Sequence, residues 1–220
     1  MDTVYLTAAG KFLPGLPIPN DEIEDYLGRL FDKPSRTRSR ILRQNGILTR
    51  HYALDKEQHA THTVSGMAAA AIGDCLQRAG VSPEEIEFLA AATTQGDLPV
   101  PGFASMVHGD AGLGRCAIDS HQSVCAAGMM AIRSAWMTVR TGEADKAIAC
   151  AGELSSRMFK ARRFEGQTDV RTLNNKHPMI PLPTTSAAFR LILHGLSTEV
   201  LHGLLVQRKI EEEKRVRLEV

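Results

Sequence analysis

Three apolar runs constrain this chain more than any other feature. "EIEFLAAATT" (strand at 86–93), "RCAIDS" (115–120) and "DKAIACAG" (146–152) are each continuously apolar rather than alternating. Runs of that kind suit strands covered on both faces. Helix-like segments lie between and before them. "THTVSGMAAAAIGDCLQRAG" is alanine-rich and stops at Gly80, "FASMVHGDAGLG" is punctuated by glycine, and "AAGMMAIRSAWMTVRTG" places Met129, Ile132, Trp136 and Val139 at helical spacing before Gly142. Asn20 reads as the N-cap of an earlier helix carrying Ile23, Tyr26, Leu27 and Leu30 on one face. With the N-terminal strand-like "TVYLTAAG", the order is strand, helix, strand, helix, strand, helix, strand. The expected fold class is α/β, with a mixed sheet covered by helices and residues 1–155 as one unit.

Beyond residue 155 the pattern fades. Residues 155–185 are polar, basic and then proline-rich, and read as a loop. Residues 191–220 read as a helix with a charged end. The tetrapeptide LHGL occurs at 193–196 and 201–204, too little to define a repeat architecture.

Composition excludes several classes. The chain has 220 residues and a formal net charge of +1, so no polyanionic partner is implied. The basic stretch "SRTRSRILR" is short and lacks interleaved aromatics, which argues against nucleic acid. No apolar run approaches the ~20 residues of a membrane span. The start "MDTVYLTAAG" has no basic n-region, so a cytoplasmic setting is expected, with the four cysteines reduced. Their spacing forms no CxxC pair, and no metal site is expected.

Cys125 stands where the strand at 115–120 gives way to the helix at 126–141. A thiol at a helix N-terminus is favoured as thiolate below the ordinary ~8.5, and the N–H groups of the same turn can receive an oxyanion. Ala126, Ala127 and Gly128 keep that turn narrow. Position alone leaves two readings of comparable weight, a nucleophile for acyl transfer or a buried structural thiol. Cys75, Cys116 and Cys150 lie inside apolar patterns and read as structural.

The segments "NDEIEDYL", "RILRQNGILTRHYA", "AAAAIGDCLQRAGVSPEEIEFLAAATTQGDLPVPGFASMVH", "SVCAAGMMAIRSA" and "ADKAIACAGELSS", in this order, resemble the N-terminal half of the β-ketoacyl-acyl-carrier-protein synthase III-like enzymes of the thiolase superfamily. The resemblance covers about residues 1–160, and "ILRQNGILTRHYALD" is also similar to variants that make aryl-polyene or dialkylresorcinol lipids. It implies a thiolase-like N-terminal domain at 1–180, an atypical tail at 181–220 and no second half. It implies that Cys125 accepts an acyl group from an acyl-coenzyme A or acyl-carrier-protein thioester, with condensation onto a malonyl-type extender. No bound cofactor is implied. The expected partners are the carrier protein and a homodimer mate or a complete homologue.

The chain also departs from that family. The family's His-then-Asn pair cannot be placed: only His177, His194 and His202 follow the cysteine, and Asn174 and Asn175 precede all three. His121 reads as a packing or surface side chain rather than a substitute base. Arg40 and Gln44 stand where the family's coenzyme A-binding tryptophan and arginine would fall, leaving Arg43 as the candidate for the coenzyme A phosphates. The alternative function is a truncated or non-catalytic partner subunit.

Overall fold

The structure is a computed structural model that describes residues 3–29, 32, 34, 42–43, 46–124, 126–163 and 201–208. The chain forms two compact units. The first comprises residues 1–13, 62–153 and 200–220, and the second residues 14–61 and 154–199.

In the first unit the strands are β1 (Tyr5–Phe12), β4 (Phe88–Thr93), β5 (Ala117–Gln122), β6 (Lys146–Ala151) and β7 (Leu201–Gln207). They make one sheet in the order β1-β7-β6-β4-β5. β4 runs parallel to both β5 and β6, while β7 is antiparallel to β6 and β1. The helices are α2 (Val64–Ala79), α3 (Phe103–Asp110) and α4 (Ala127–Thr141). The strands and helices expected before residue 152 are present, but of the three apolar runs only β4 and β6 are covered on both faces: β5, last in the sheet order, is exposed or half-buried along its length, with Ile118 43% exposed. Ala90, Ala92, Ala147, Ala149 and Val206 pack with α4. On the other face lie α2 and α3.

Local chemistry accounts for the boundaries. Thr63 caps α2 by accepting from the Gly66 N–H, and Asp97 receives the N–H groups of Val64 and Ser65. Gly80 ends α2 in the left-handed region, which glycine enters without a Cβ penalty. Ser82 and Glu85 form a capping box that starts the short turn before β4.

α4 corrects one expectation. Its buried residues are Ala127, Ala131, Ala135 and Val139, four apart, with Ile132 and Trp136 only flanking them. Met129 is 67% exposed. The small residues face the sheet because the facing strand positions are themselves alanines, and the helix can approach closely.

The helix expected over 191–220 is also corrected where it can be seen, because Leu201–Gln207 is a strand. It is inserted between β1 and β6, with Leu205 and Val206 fully buried. As a strand it satisfies its own backbone on both sides and fills the gap between two parallel strands, which a helix could not do. Gly203 sits opposite Gly10 of β1, and the α2 backbone rests on both. A Cβ at Gly10 would overlap Cys75 N and Ala71 O, whereas one at Gly73 of α2 would meet nothing. Gly10→Ala is therefore expected to destabilise the chain by about 1–3 kcal/mol or more through overpacking. Gly73→Ala should stabilise it by about 0.5–1 kcal/mol. Urea melts of both variants check this, and equal effects would contradict the packing.

The second unit holds β2 (Ile18–Pro19), α1 (Ile23–Leu27) and β3 (Thr49–Arg50), with β2 and β3 antiparallel. Ile18, Ile23, Leu27, Leu42, Tyr52, Leu54 and Ala161 form its core. α1 begins after Glu22, not Asn20. The Asn20 side chain is used differently: Nδ2 donates to Ile47 O at 2.7 Å, and Oδ1 accepts from the buried Arg50 guanidinium at 2.6 Å. A buried guanidinium needs such an acceptor more than an exposed helix end does.

Candidate active site

β4, β5 and β6 end at the same edge of the sheet, where parallel α/β sheets present ligands. β5 passes at Ser123 and Val124 into the start of α4. The Ala127 N–H donates to Ser123 O at 2.8 Å, closing the elbow, and Met130 N–H donates to Ala126 O at 3.1 Å. Cys125, the expected nucleophile, lies outside the described residues. Its neighbours Val124 and Ala126 are both exposed.

The start of α4 differs from that of α2. Its N-cap, Ala126, has no side-chain oxygen, no side chain among the described residues bonds the first-turn N–H groups, and no acid occupies that turn. The positive end of the helix dipole is thus uncompensated by any side chain among the described residues. An anion at position 125 or just ahead of it would be stabilised.

A polar network borders the elbow. The Glu153 carboxylate follows β6, and its Oε1 accepts from both the N–H and the hydroxyl of Thr94 at 2.6 Å. Thr94 O accepts from Gln122 Nε2 at 3.2 Å. Burial pushes the Glu153 carboxyl above its usual range, and the two Thr94 donors only partly oppose this. These residues were not singled out from the sequence. A threonine and a glutamate just past two buried strands were the available signal.

His121 occupies the α4 face of β5. Its Nε2 is 3.0 Å from Asp119 Oδ2, within ion-pair reach, but buried and turned off a hydrogen-bond axis. Asp119 is instead bonded by the Ser134 hydroxyl at 3.0 Å. Arg43 is exposed and lies in the second unit. Arg40, Gln44, Asn174, Asn175, His177 and His194 lie outside the described residues, and of His202 only the backbone, in β7, is described. Among the described residues no cluster of three His, Cys, Asp or Glu side chains is placed to hold a metal, and no helix is long and apolar enough to cross a membrane.

The remaining thiols are suppressed. Burial pushes Cys75 up to about 11 and Cys150 to about 12, and raises Cys116 as well. Since only the thiolate alkylates, at pH 8 the first two present a fraction of about 10⁻³ or less. Iodoacetamide is expected to modify Cys125 first, Cys116 more slowly, and Cys75 and Cys150 only after unfolding. Peptide mapping over time checks the order. Early native-state labelling of Cys75 or Cys150 would overturn it.

Known proteins place this geometry. Residues 158–209 match a family of unknown function (DUF6999). The chain is similar to the β-ketoacyl-[acyl-carrier-protein] synthase III of Cereibacter sphaeroides, 34% identical over 150 residues that cover 68% of this chain and 43% of that protein. The enzyme of the same name from Dinoroseobacter shibae is 32% identical over 154 residues, 70% of this chain and 44% of that one. Among solved structures, the tetronic acid condensing enzyme AbyA1 superposes with a TM-score of 0.72 at 21% identity, covering 96% of this chain and 56% of that one. The 3-oxoacyl-[acyl-carrier-protein] synthase III of Aquifex aeolicus gives 0.67 at 17% identity, covering 95% and 55%. The chain spans less than half the length of these curated relatives. Its fold is that of the thiolase-like condensing enzymes. Within that class the chain is β-ketoacyl-[acyl-carrier-protein] synthase III-like over the part it shares with them.

Proposed function

We propose that this chain performs the acyl-accepting half of a synthase III-type reaction. Cys125 takes the acyl group from a coenzyme A or carrier-protein thioester, in fatty-acid or related lipid or polyketide synthesis. The uncapped, acid-free start of α4, directly after the β5 elbow, is the observation that supports this most. It favours a thiolate and supplies N–H donors for the oxyanion of a thioester under attack. The exposed apolar side chains of Leu98, Val100, Val124 and Met129 belong to segments that follow β4 and β5, and suit an acyl chain or a partner surface. In this reading Arg43 meets coenzyme A phosphates, and the chain works in the cytoplasm as a homodimer or paired with a complete homologue. A second reading, a partner subunit that does not condense, is favoured by the missing His-then-Asn order.

Incubation with acyl-coenzyme A tests the first reading. Intact-mass spectrometry is expected to show one acyl adduct, absent in Cys125→Ser and retained in Cys75→Ser, Cys116→Ser and Cys150→Ser. An adduct that survives Cys125→Ser would refute the assignment.

A further inference from the structure

We propose that Glu153 is the general base of a second, hydrolytic activity, in which water releases the acyl group carried on Cys125 as a free carboxylic acid. The proposal rests on the acyl-accepting reading of Cys125.

Three observations carry it. First, Thr94 ties together the ends of three parallel strands. It bonds Glu153 beyond β6 through its N–H and hydroxyl at 2.6 Å, and receives Gln122 of β5 at its carbonyl. Second, the Thr94 hydroxyl lies 3.5 Å from the carbonyl of Val124, the residue immediately before Cys125. The Glu153–Thr94 pair is thereby held beside the elbow. Third, both Thr94 donors fall on the same oxygen of Glu153. Among the described residues Oε2 has no hydrogen-bond or ion-pair partner. One oxygen is bonded and the other is left without a partner among the described residues, at the strand ends where this architecture binds ligands. Burial raises the proton affinity of this half-buried carboxyl, which makes it a stronger base than an exposed glutamate.

The step balances without any further reagent. The oxygen of water bonds to the thioester carbonyl carbon while Glu153 Oε2 takes its proton. The tetrahedral intermediate collapses, the carbon–sulfur bond breaks, and the Cys125 sulfur leaves and recovers the proton from Glu153. The products are the carboxylic acid and the free thiol. Thr94 is a positioning residue: its two hydrogen bonds to Oε1 fix the rotation of the carboxylate and leave Oε2 to act as the base.

The test uses the full chain loaded with octanoyl-coenzyme A and then freed of excess thioester. Loss of the Cys125 adduct is followed by intact mass, and octanoic acid by chromatography. Wild type is expected to discharge within minutes to hours with stoichiometric acid. Glu153→Gln should load to the same extent and discharge about 10²-fold more slowly, as expected for loss of a general base. Thr94→Val should slow discharge likewise, and Thr94→Ser, which keeps the hydroxyl, should restore it. Unchanged circular dichroism and equal loading show that the variants are folded. An adduct that persists equally in wild type and Glu153→Gln overturns the hydrolysis and leaves the acyl-accepting reading standing. Discharge slowed by His121→Gln but not by Glu153→Gln also overturns it. Absence of any adduct at Cys125 in wild type overturns both.

Discussion

A chain ended at residue 199 is expected not to fold. That truncation removes β7, which pairs with β1 from Tyr5↔Gln207 to Phe12↔Leu201 and with β6 from Lys146↔Gln207 to Ala151↔His202. It takes the buried side chains of Leu205 and Val206 out of the core, about 1.5–3 kcal/mol each. It also leaves β1 joined to the sheet by no described strand, since β7 is its only neighbour among the described residues. Two newly bared strand edges would lose backbone partners as well. These losses compare with a total stability of about 5–15 kcal/mol for an ordinary domain. The truncated chain should show no cooperative urea transition and should aggregate. Leu205→Pro, which keeps the full length but removes a ladder donor inside an interior strand, should give the same result. A cooperative melt with an unchanged midpoint in either variant would show that the tail is dispensable.

What was legible in the sequence follows from which residues act locally. β4 and β6 were readable because both faces are covered, so each shows as an unbroken apolar run such as Phe88–Thr93, whereas β5, last in the sheet order, is exposed or half-buried along its length and largely polar. The helix ends at Gly80 and Gly142 were readable because a left-handed C-cap is a property of one residue. β7 was not. "LHGLLVQ" is helical in composition, and only the distant partners β1 and β6, together with the close approach of α2 to Gly203, select the strand. The buried stripe of α4 was misread for a related reason. Large residues advertise a core, yet here the sheet opposite is alanine and the small residues go inward. At the candidate site the elbow between β5 and α4 was foreseen from the position of Cys125. Glu153 and Thr94 were not, because they are 59 residues apart and their pairing exists only once β4 and β6 lie side by side.

These 220 residues are expected to load an acyl group but not to condense it. Carbon–carbon bond formation requires the acyl thioester on the cysteine and also stabilisation of the enolate formed when the extender loses carbon dioxide. In the family the chain resembles, a histidine followed by an asparagine supplies that stabilisation. Here the histidines after Cys125 are His177, His194 and His202, and no asparagine follows any of them. Removing a single oxyanion donor typically lowers a rate by about 10²–10³, and removing a pair that acts on one developing charge should lower it further. A condensation of ordinary speed would then fall below detection, while acylation, which needs only the elbow and the start of α4, would persist. Purified chain supplied with acyl-coenzyme A and malonyl-carrier protein should therefore give an acyl adduct, unconsumed malonyl thioester and no β-ketoacyl product. The malonyl thioester is the informative species, because decarboxylation without condensation would show that the enolate is stabilised but not captured. Ketoacyl product that disappears in His177→Ala, His194→Ala or His202→Ala would overturn the expectation and identify the residue that replaces the family's pair.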